Sequence, residues 1–244
     1  MTSTLRILAV AAAALSLGAC AKAEDAAFGA RVHAYLMAHP EVIREAAQKL
    51  QENDKLAAQK ASSDALATHR GELEHDPRDF VANPGGKVTV VEFFDYRCGY
   101  CKLAAPQVVQ LIEQNPDVRF VFKEFPIFGE VSDTAAKIAL TRPAKAKGVQ
   151  LYQTLMAEKA LDEAALDRHL TEVGLDPAQA RKDAQQPLID RQIADTRTLA
   201  EALRIDGTPA FIVGDTMIPG ADIPALKAAI AKAKAAAVPA TTKS

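Results

Sequence analysis

The sequence predicts an α/β fold preceded by an N-terminal helical arm. Two almost continuously apolar runs, at about 87–95 and 118–124, are typical of central strands that are covered on both faces. A helical pattern at 98–114 separates them, so the three elements predict a right-handed parallel βαβ unit. The apolar run 210–213, a Gly-Asp turn and the segment 216–218 predict a β-hairpin.

The composition argues against a nucleic-acid partner. The 244 residues carry a net charge of −2, so the chain offers no basic surface for phosphate groups. Trp is absent and aromatic residues make up only 5% of the chain, which also argues against a base-stacking surface. The length suffices for one sizeable core plus an appendage. We therefore expect no nucleic-acid partner.

The first 20 residues predict a signal peptide for export. Arg6 precedes an apolar run, 7–17, that is too short to span a bilayer. The segment ending at Cys20 resembles a bacterial lipobox, which would place a lipid anchor on Cys20, but its small residues also fit ordinary cleavage. Either way, the mature protein keeps only the thiols of Cys98 and Cys101, and it enters an oxidising compartment.

Residues 25–75 predict a helical arm. Pro40 suits the first turn of a second helix in this segment. The apolar positions between Val32 and Ala61 form a thin stripe flanked by charges, which is too narrow to build a globule of its own. We therefore expect an oligomerisation arm. The alternative is a monomeric helix that lies on its own domain.

Helical patterns fill most of the chain between and after the predicted strands. About 80 residues predict a helical insertion at about 128–205, and a final amphipathic helix is predicted at 223–235. Pro106 removes a backbone donor inside the 98–114 helix and should kink it. The last residues, 237–244, predict a disordered tail.

The chemistry is concentrated in Cys98-Gly99-Tyr100-Cys101, at the point where a strand gives way to a helix. The positive end of the helix dipole favours a thiolate on Cys98, which is the nucleophile of disulfide exchange. A zinc site needs about four ligands, and the five histidines are not spaced to supply them. A soft Cu(I) site on the two thiolates is a second alternative. A purely structural bridge is a third, but it would close a loop too small to stabilise the fold much. The position therefore favours a redox couple.

Two charged residues and one proline accompany this motif. Glu92 lies inside an apolar strand, so we expect a buried carboxyl with a raised pKa that exchanges a proton with Cys101. Lys123 ends the second strand, where it could pair with Glu92 or Glu124 or extend its ammonium to solvent. Pro209 suits the first position of a strand, and base rates alone favour a trans bond before it.

Three blocks in the same order resemble the DsbA-like branch of the thioredoxin superfamily: Val90–Lys102, Phe122–Pro126 and Gly207–Gly214. The N-terminal arm makes the chain most similar to the ScsC (suppressor of copper sensitivity) group. The resemblance implies a thioredoxin-like fold with an inserted helical domain, within about 83–236.

The resemblance also implies roles for the site residues. Cys98 would be the nucleophile, Cys101 the resolving thiol and Glu92 the buried acid. Thr208 and Pro209 would form a cis bond facing the cysteines and, with Tyr100, would bind substrate. Gly99 and Lys123 would support the site, and no cofactor or metal is expected beyond a redox-active Cys98–Cys101 disulfide.

The implied function is a periplasmic disulfide isomerase or reductase of exported proteins. The dipeptide Gly99-Tyr100 lacks the histidine of the oxidase DsbA and is the one seen in the bacterial isomerase DsbC. We expect a homo-oligomer, of the kind that is trimeric in some ScsC proteins, and a membrane thiol redox partner. The alternatives are a net disulfide oxidase, a copper-binding protein that uses both thiolates, and a lipid-anchored structural protein with inert cysteines.

Overall fold

The structure is a computed structural model that describes residue 25 and residues 27–237. The predicted signal peptide 1–20, with Cys20, and residues 238–244 of the predicted tail lie outside the described residues. The chain divides into two units, Met1–Gln59 and Lys60–Ser244. Within the described residues, no helix combines the length and apolar character that a membrane crossing needs.

The first unit contains helix α1 (27–38) and most of helix α2 (Glu41–Thr68). None of its described residues is buried. Large apolar side chains are instead exposed along both helices: Phe28, Val32, Tyr35, Met37, Ile43, Leu50 and Leu56.

A five-stranded sheet of order β1-β3-β2-β4-β5 forms the centre of the second unit. Strand β2 is parallel to β3, as the βαβ pattern predicts, and the other neighbours are antiparallel. Strands β4 and β5 form the predicted hairpin. The three-residue edge strand β1 was not predicted. The strands are β1 (Phe80–Ala82), β2 (Val88–Phe94), β3 (Val118–Glu124), β4 (Ala210–Val213) and β5 (Thr216–Pro219).

Helices cover both faces of the sheet, and six of those described follow β3 and precede β4, where the insertion was predicted. Helix α4 runs continuously through Pro106. The remaining helices are α3 (Arg70–Glu74), α4 (Gly99–Gln114), α5 (Glu130–Ala139), α6 (Arg142–Lys145), α7 (Gly148–Ala157), α8 (Glu163–Glu172), α9 (Pro177–Asp183), α10 (Pro187–Ala202) and α11 (Ile223–Ala237).

The alternation of side chains along β2 divides the core into two clusters. Val90 and Phe94 face the larger cluster, which includes residues of α4, α7 and α11. Val91 and Phe93 face the smaller cluster, which includes residues of α10. Leu66 and Leu73 also belong to the smaller cluster and are almost fully buried. Residues 60–75, assigned to the arm from sequence, therefore contribute to the core of the second unit.

The predicted pairing of Lys123 with Glu92 or Glu124 is wrong. Lys123 is 2% exposed, and its ammonium lies 2.5 Å from a carboxylate oxygen of Asp79. In the register of the two strands Glu92 lies beside Phe122, so Lys123, the next residue, points to the opposite face of the sheet. Glu124 instead accepts a hydrogen bond from the Tyr96 hydroxyl at 3.0 Å.

Lys123 also does not extend to solvent; its ammonium donates to the backbone carbonyl of Glu72. Burial raises the pKa of the Asp79 carboxyl to about 6, although the charge of Lys123 lowers it. The pair is thus a structural feature of the face that lies away from Glu92.

We predict that Lys123→Ala destabilises the protein by about 3–5 kcal/mol, because it leaves the Asp79 carboxylate buried without a counter-charge. Without Lys123 the pKa of Asp79 rises further, so the loss of unfolding free energy is larger at pH 8 than at pH 5. Urea unfolding of the variant and the wild type at the two pH values measures this loss of free energy. The control, Lys123→Met combined with Asp79→Asn, should recover most of the stability. A single variant as stable as the wild type would contradict the prediction.

Candidate active site

Cys98 occupies the N-cap position of α4, immediately after the turn that follows β2. Its extended backbone ends the turn, and its amide donates to the Asp95 carbonyl at 3.1 Å. The Cys101 amide points at the Cys98 sulfur, 3.5 Å away. A β-carbon at Gly99 would meet open space, so packing does not require glycine there.

Both thiols are buried, but they differ in acidity. Both are free in this structure; Cys98 is 2% exposed and Cys101 is fully buried. A hydrogen bond from the Cys101 side chain, with the backbone amides of Cys101 and Tyr100, lowers the pKa of Cys98 to about 5 against the opposing effect of burial. Burial raises the pKa of the Cys101 thiol, and its hydrogen bond to Cys98 raises it further. At neutral pH, Cys98 is therefore the thiolate and Cys101 the thiol.

Glu92 is buried on the same face of the sheet as the larger core cluster. Its carboxylate oxygens accept the Tyr152 hydroxyl at 3.1 and 3.2 Å. Burial raises the pKa of Glu92 to about 8; the Tyr152 hydrogen bond opposes that rise and the Cys98 charge adds to it. Tyr152 comes from α7 in the helical insertion, and no sequence signal marked it among the apolar residues of that helix.

The loop before β4 lies against the nucleophile. The Thr208–Pro209 bond is cis, as the family resemblance implies and as base rates alone would not. The Cys98 sulfur lies 3.1 Å from the Thr208 carbonyl oxygen, to which the protonated thiol donates. The structure thus brings this predicted substrate-binding pair directly to Cys98.

Exposed apolar side chains surround the turn that carries Cys98. Tyr100 and Leu103, in the first turns of α4, are 67% and 72% exposed. Ile127 and Phe128, in the loop after β3, are also exposed, and the Arg97 guanidinium donates to the Phe128 carbonyl at 2.6 Å. Of these four, the sequence analysis identified only Tyr100.

Among the described residues, no three His, Cys, Asp or Glu side chains are grouped so that they could hold a metal ion. The arrangement as it stands has one acidic thiol, one thiol of raised pKa and one buried carboxyl. These three groups provide the nucleophile, the second sulfur and the proton acceptor that disulfide exchange requires.

Two family profiles match the chain. A profile described as thioredoxin matches residues 76–232, which is more than half of the chain. The chain belongs to the thioredoxin superfamily. A second profile, described as copper resistance protein ScsC N-terminal domain, matches residues 24–57. The expected combination of a thioredoxin-like domain and an ScsC-type arm is thereby confirmed.

Solved structures similar to this chain include ScsC proteins. A linker-deletion variant of Proteus mirabilis ScsC is 28% identical, with a TM-score of 0.67, covering 84% of this chain and 92% of that one. BcfH from Salmonella enterica Typhimurium is 31% identical, with a TM-score of 0.70, and the match covers 90% of this chain and 99% of BcfH. A thioredoxin-like oxidoreductase from Silicibacter pomeroyi is 40% identical, with a TM-score of 0.65, and the match covers 69% of this chain and 99% of the oxidoreductase.

Curated relatives match over shorter stretches. The thiol:disulfide interchange protein DsbA of Bordetella pertussis is 31% identical over 53% of this chain and 64% of its own length. A Na⁺/H⁺ antiporter NhaA of Salinispora tropica is 31% identical over 66% of this chain, but only 26% of its own length is covered. The chain therefore spans less than two thirds of these curated relatives. Together, the DsbA relative and the solved ScsC structures make the chain similar to thiol-disulfide oxidoreductases of the DsbA and ScsC type.

We predict that Glu92→Gln stabilises the protein and slows the step in which Cys101 loses its proton. The folded carboxyl binds its proton up to about pH 8, whereas the unfolded carboxyl releases it near pH 4.5. Stability therefore falls as pH rises through this window, and the neutral amide avoids that loss. The stabilisation should reach a few kcal/mol at pH 8, since one pKa unit is worth about 1.4 kcal/mol.

The control for Glu92→Gln is Glu124→Gln, on the adjacent strand. Burial also raises the pKa of Glu124 well above its ordinary value, so this variant should gain stability as well. Unfolding at pH 5 and pH 8 measures the stability, and stopped-flow oxidation by glutathione disulfide measures the rate. Equal rates for the two variants would contradict a proton-transfer role for Glu92.

Proposed function

We propose that this protein is an exported, periplasmic disulfide isomerase or reductase that acts on disulfide-containing proteins. The observation that carries the proposal is the acidic Cys98 thiol beside a fully buried Cys101. The N-terminal sequence pattern supports export, as does the similarity to a solved Salmonella enterica protein described as periplasmic and thioredoxin-like, 30% identical. Lipid anchoring through Cys20 stays part of the proposal.

The reaction begins with attack by the Cys98 thiolate on a substrate disulfide. A Cys98–substrate sulfur bond forms while the substrate S–S bond breaks, and the leaving sulfur departs as a thiolate. A pKa of about 5 keeps Cys98 ionised at neutral pH. Cys101 stays protonated at this pH because burial and its hydrogen bond to Cys98 raise its pKa, so it is not the attacking group.

Resolution then follows one of two routes. In isomerisation, a substrate thiolate attacks the mixed disulfide and releases Cys98. In reduction, Cys101 passes its proton to the Glu92 carboxylate and attacks the Cys98 sulfur, so the substrate leaves as a dithiol. Formation of the mixed disulfide removes the negative charge of Cys98, which otherwise raises the pKa of Glu92. The pKa of Glu92 then falls, so a larger fraction of the carboxyl is ionised and available to accept a proton at this step.

Substrate binding is assigned to the surface around the nucleophile. The carbonyl of Thr208 lies beside the Cys98 sulfur, where an extended substrate backbone would pass along the Thr208-Pro209 loop. The exposed ring of Tyr100 provides an apolar contact for side chains next to the substrate disulfide. Gly99 leaves open space above the first turn of α4, which gives a bulky polypeptide room to approach.

The arm supports the proposal of a homo-oligomer, with a trimer as the leading candidate. Its described apolar side chains are exposed within the first unit, and a helix with such a face is stabilised by burial against a partner. An oligomer would hold its thiols apart from the membrane oxidation machinery, which favours isomerisation over net oxidation. A membrane thiol reductant would keep Cys98 reduced.

The direction of electron flow is proposed from the intervening dipeptide. Gly99-Tyr100 has no histidine to stabilise the thiolate further, and a pKa of about 5 lies between the values of roughly 3.5 for the oxidase DsbA and 7 for thioredoxin.

Refolding of a scrambled, disulfide-bonded substrate by the reduced full-length protein tests the proposal. Refolding only of reduced substrate, by the oxidised form, would indicate the net oxidase instead. Stoichiometric Cu(I) binding without either activity would indicate the copper-binding alternative.

We predict that Cys101→Ala traps mixed disulfides on Cys98, because the second sulfur that releases the substrate is missing. Cys98→Ala should trap at least about tenfold less, since the remaining thiol is buried and has a raised pKa. Non-reducing electrophoresis of the two variants after incubation with a disulfide-bonded substrate measures the difference. Equal trapping by both variants would overturn the assigned roles.

We predict that Leu50→Asp weakens the oligomer, because it places a charge on an exposed apolar position that an interface would bury. The control is Gln48→Asp, which adds the same charge about 200° around the same helix. Light scattering over a dilution series should show a lower mass only for Leu50→Asp. An unchanged mass, or a monomeric wild type, would remove the arm from the account of oligomerisation.

A further inference from the structure

Asp95 has an unusual environment for a carboxylate. It is 1% exposed, and it lies in the turn between β2 and Cys98. One carboxylate oxygen accepts the Arg97 amide and the Ser132 hydroxyl, each at 2.7 Å. The other accepts the amides of Ile127 and Phe128, at 2.7 and 3.0 Å. Four donors therefore converge on one buried side chain.

The chemistry of this position favours a carboxylate over other side chains. An ionised carboxylate accepts at both oxygens, whereas an amide side chain would turn its NH₂ group towards two of the donors. Among the described residues no Lys, Arg or His lies within salt-bridge distance of Asp95, so these four hydrogen bonds are the direct contacts of its buried carboxylate. Hydrogen bonds to a charged acceptor are stronger than neutral ones. The carboxylate is thus a rigid junction between two segments.

The two segments that meet at Asp95 both border the nucleophile. One is the turn 95–98, which positions Cys98. The other is the loop that follows β3, whose side chains Ile127 and Phe128 are 41% and 46% exposed. A further bond, from the Arg97 guanidinium to the Phe128 carbonyl, joins the same two segments at the surface. The junction fixes two apolar side chains beside the turn of the reactive thiol.

We propose that Asp95 is a positioning residue of disulfide exchange that acts through Phe128. It holds Ile127 and Phe128 at the edge of the site, where they bind apolar side chains next to the substrate disulfide. The preferred substrates are therefore extended or unfolded polypeptides whose cysteines are flanked by apolar residues. This inference rests on the proposed function, and it adds a substrate preference that the thiols alone do not supply.

The test compares two peptides that each contain one disulfide, flanked by Leu and Phe in the first and by Ser in the second. The quantity measured is the ratio of kcat/KM for the apolar peptide to that for the polar peptide. Asp95→Ala and Phe128→Ala should each lower this ratio by about fivefold, mainly through KM, since apolar contacts discriminate by about that order. The double variant should be no worse than the worse single variant, because both substitutions remove the same contact.

The matched control is Ser132→Ala, which removes one donor to Asp95 but neither bond to the Ile127–Phe128 loop. It should leave the ratio unchanged. If Asp95→Ala fails to fold, Arg97→Gln takes its place, because Arg97 is exposed and its loss releases the Phe128 carbonyl. The pH dependence of Cys98 alkylation should be the same in every variant.

Two outcomes would overturn the inference while leaving the proposed function intact. In the first, the wild type reduces both peptides but shows no preference between them. In the second, the losses of kcat/KM in the two single variants multiply in the double variant, or kcat/KM falls equally for both peptides. Either result indicates a general loss of stability. A wild type that reduces neither peptide would instead overturn the proposed function and the inference with it.

Discussion

The stabilisation of negative charge on the Cys98 sulfur is the interaction on which the rest of the site depends. The sulfur lies at the first turn of α4, where hydrogen bonds from the Cys101 thiol and from two backbone amides converge on it. That charge makes Cys98 the nucleophile, and it adds to the effect of burial, which raises the pKa of both Glu92 and Cys101. When Cys98 forms a mixed disulfide the charge disappears, the pKa of Glu92 falls, and a larger fraction of this carboxyl is ionised and free to take the proton of Cys101.

The sheet separates this chemistry from a second buried charge. Glu92 lies with Tyr152 on the face covered by α4 and α7. The side chain of Lys123 points to the opposite face, where it pairs with Asp79. A strand turns successive side chains to opposite faces, so Lys123 is one residue too far along to approach Glu92. Among residues 27–237, no cation lies within salt-bridge distance of Glu92, so the pKa of this buried acid can respond to the redox state of the cysteines.

Local patterns in the sequence predicted the fold and the reacting groups, whereas long-range contacts were not predictable. The strands and the cysteine motif depend on residues that are close in sequence, and the buried state of Glu92 follows from its apolar neighbours. The pairing of Lys123 depends on the register between two strands. The partners Tyr152 and Asp95 depend on contacts across 60 and about 30 residues, from segments whose composition is ordinary. The core positions of Leu66 and Leu73 likewise depend on which surface their helices meet.

The most direct test of this account is the pH dependence of Cys98 alkylation in the reduced, full-length protein. Iodoacetamide reacts with the thiolate, and the raised pKa of Cys101 keeps that thiol protonated, so the rate reports the ionisation of Cys98 alone. If Cys98 has the lowered pKa, the alkylation rate rises with a midpoint near pH 5 and stays level to pH 8. A midpoint near the value of free cysteine, about 8.5, would contradict this account, because Cys98 would then be mostly protonated at neutral pH.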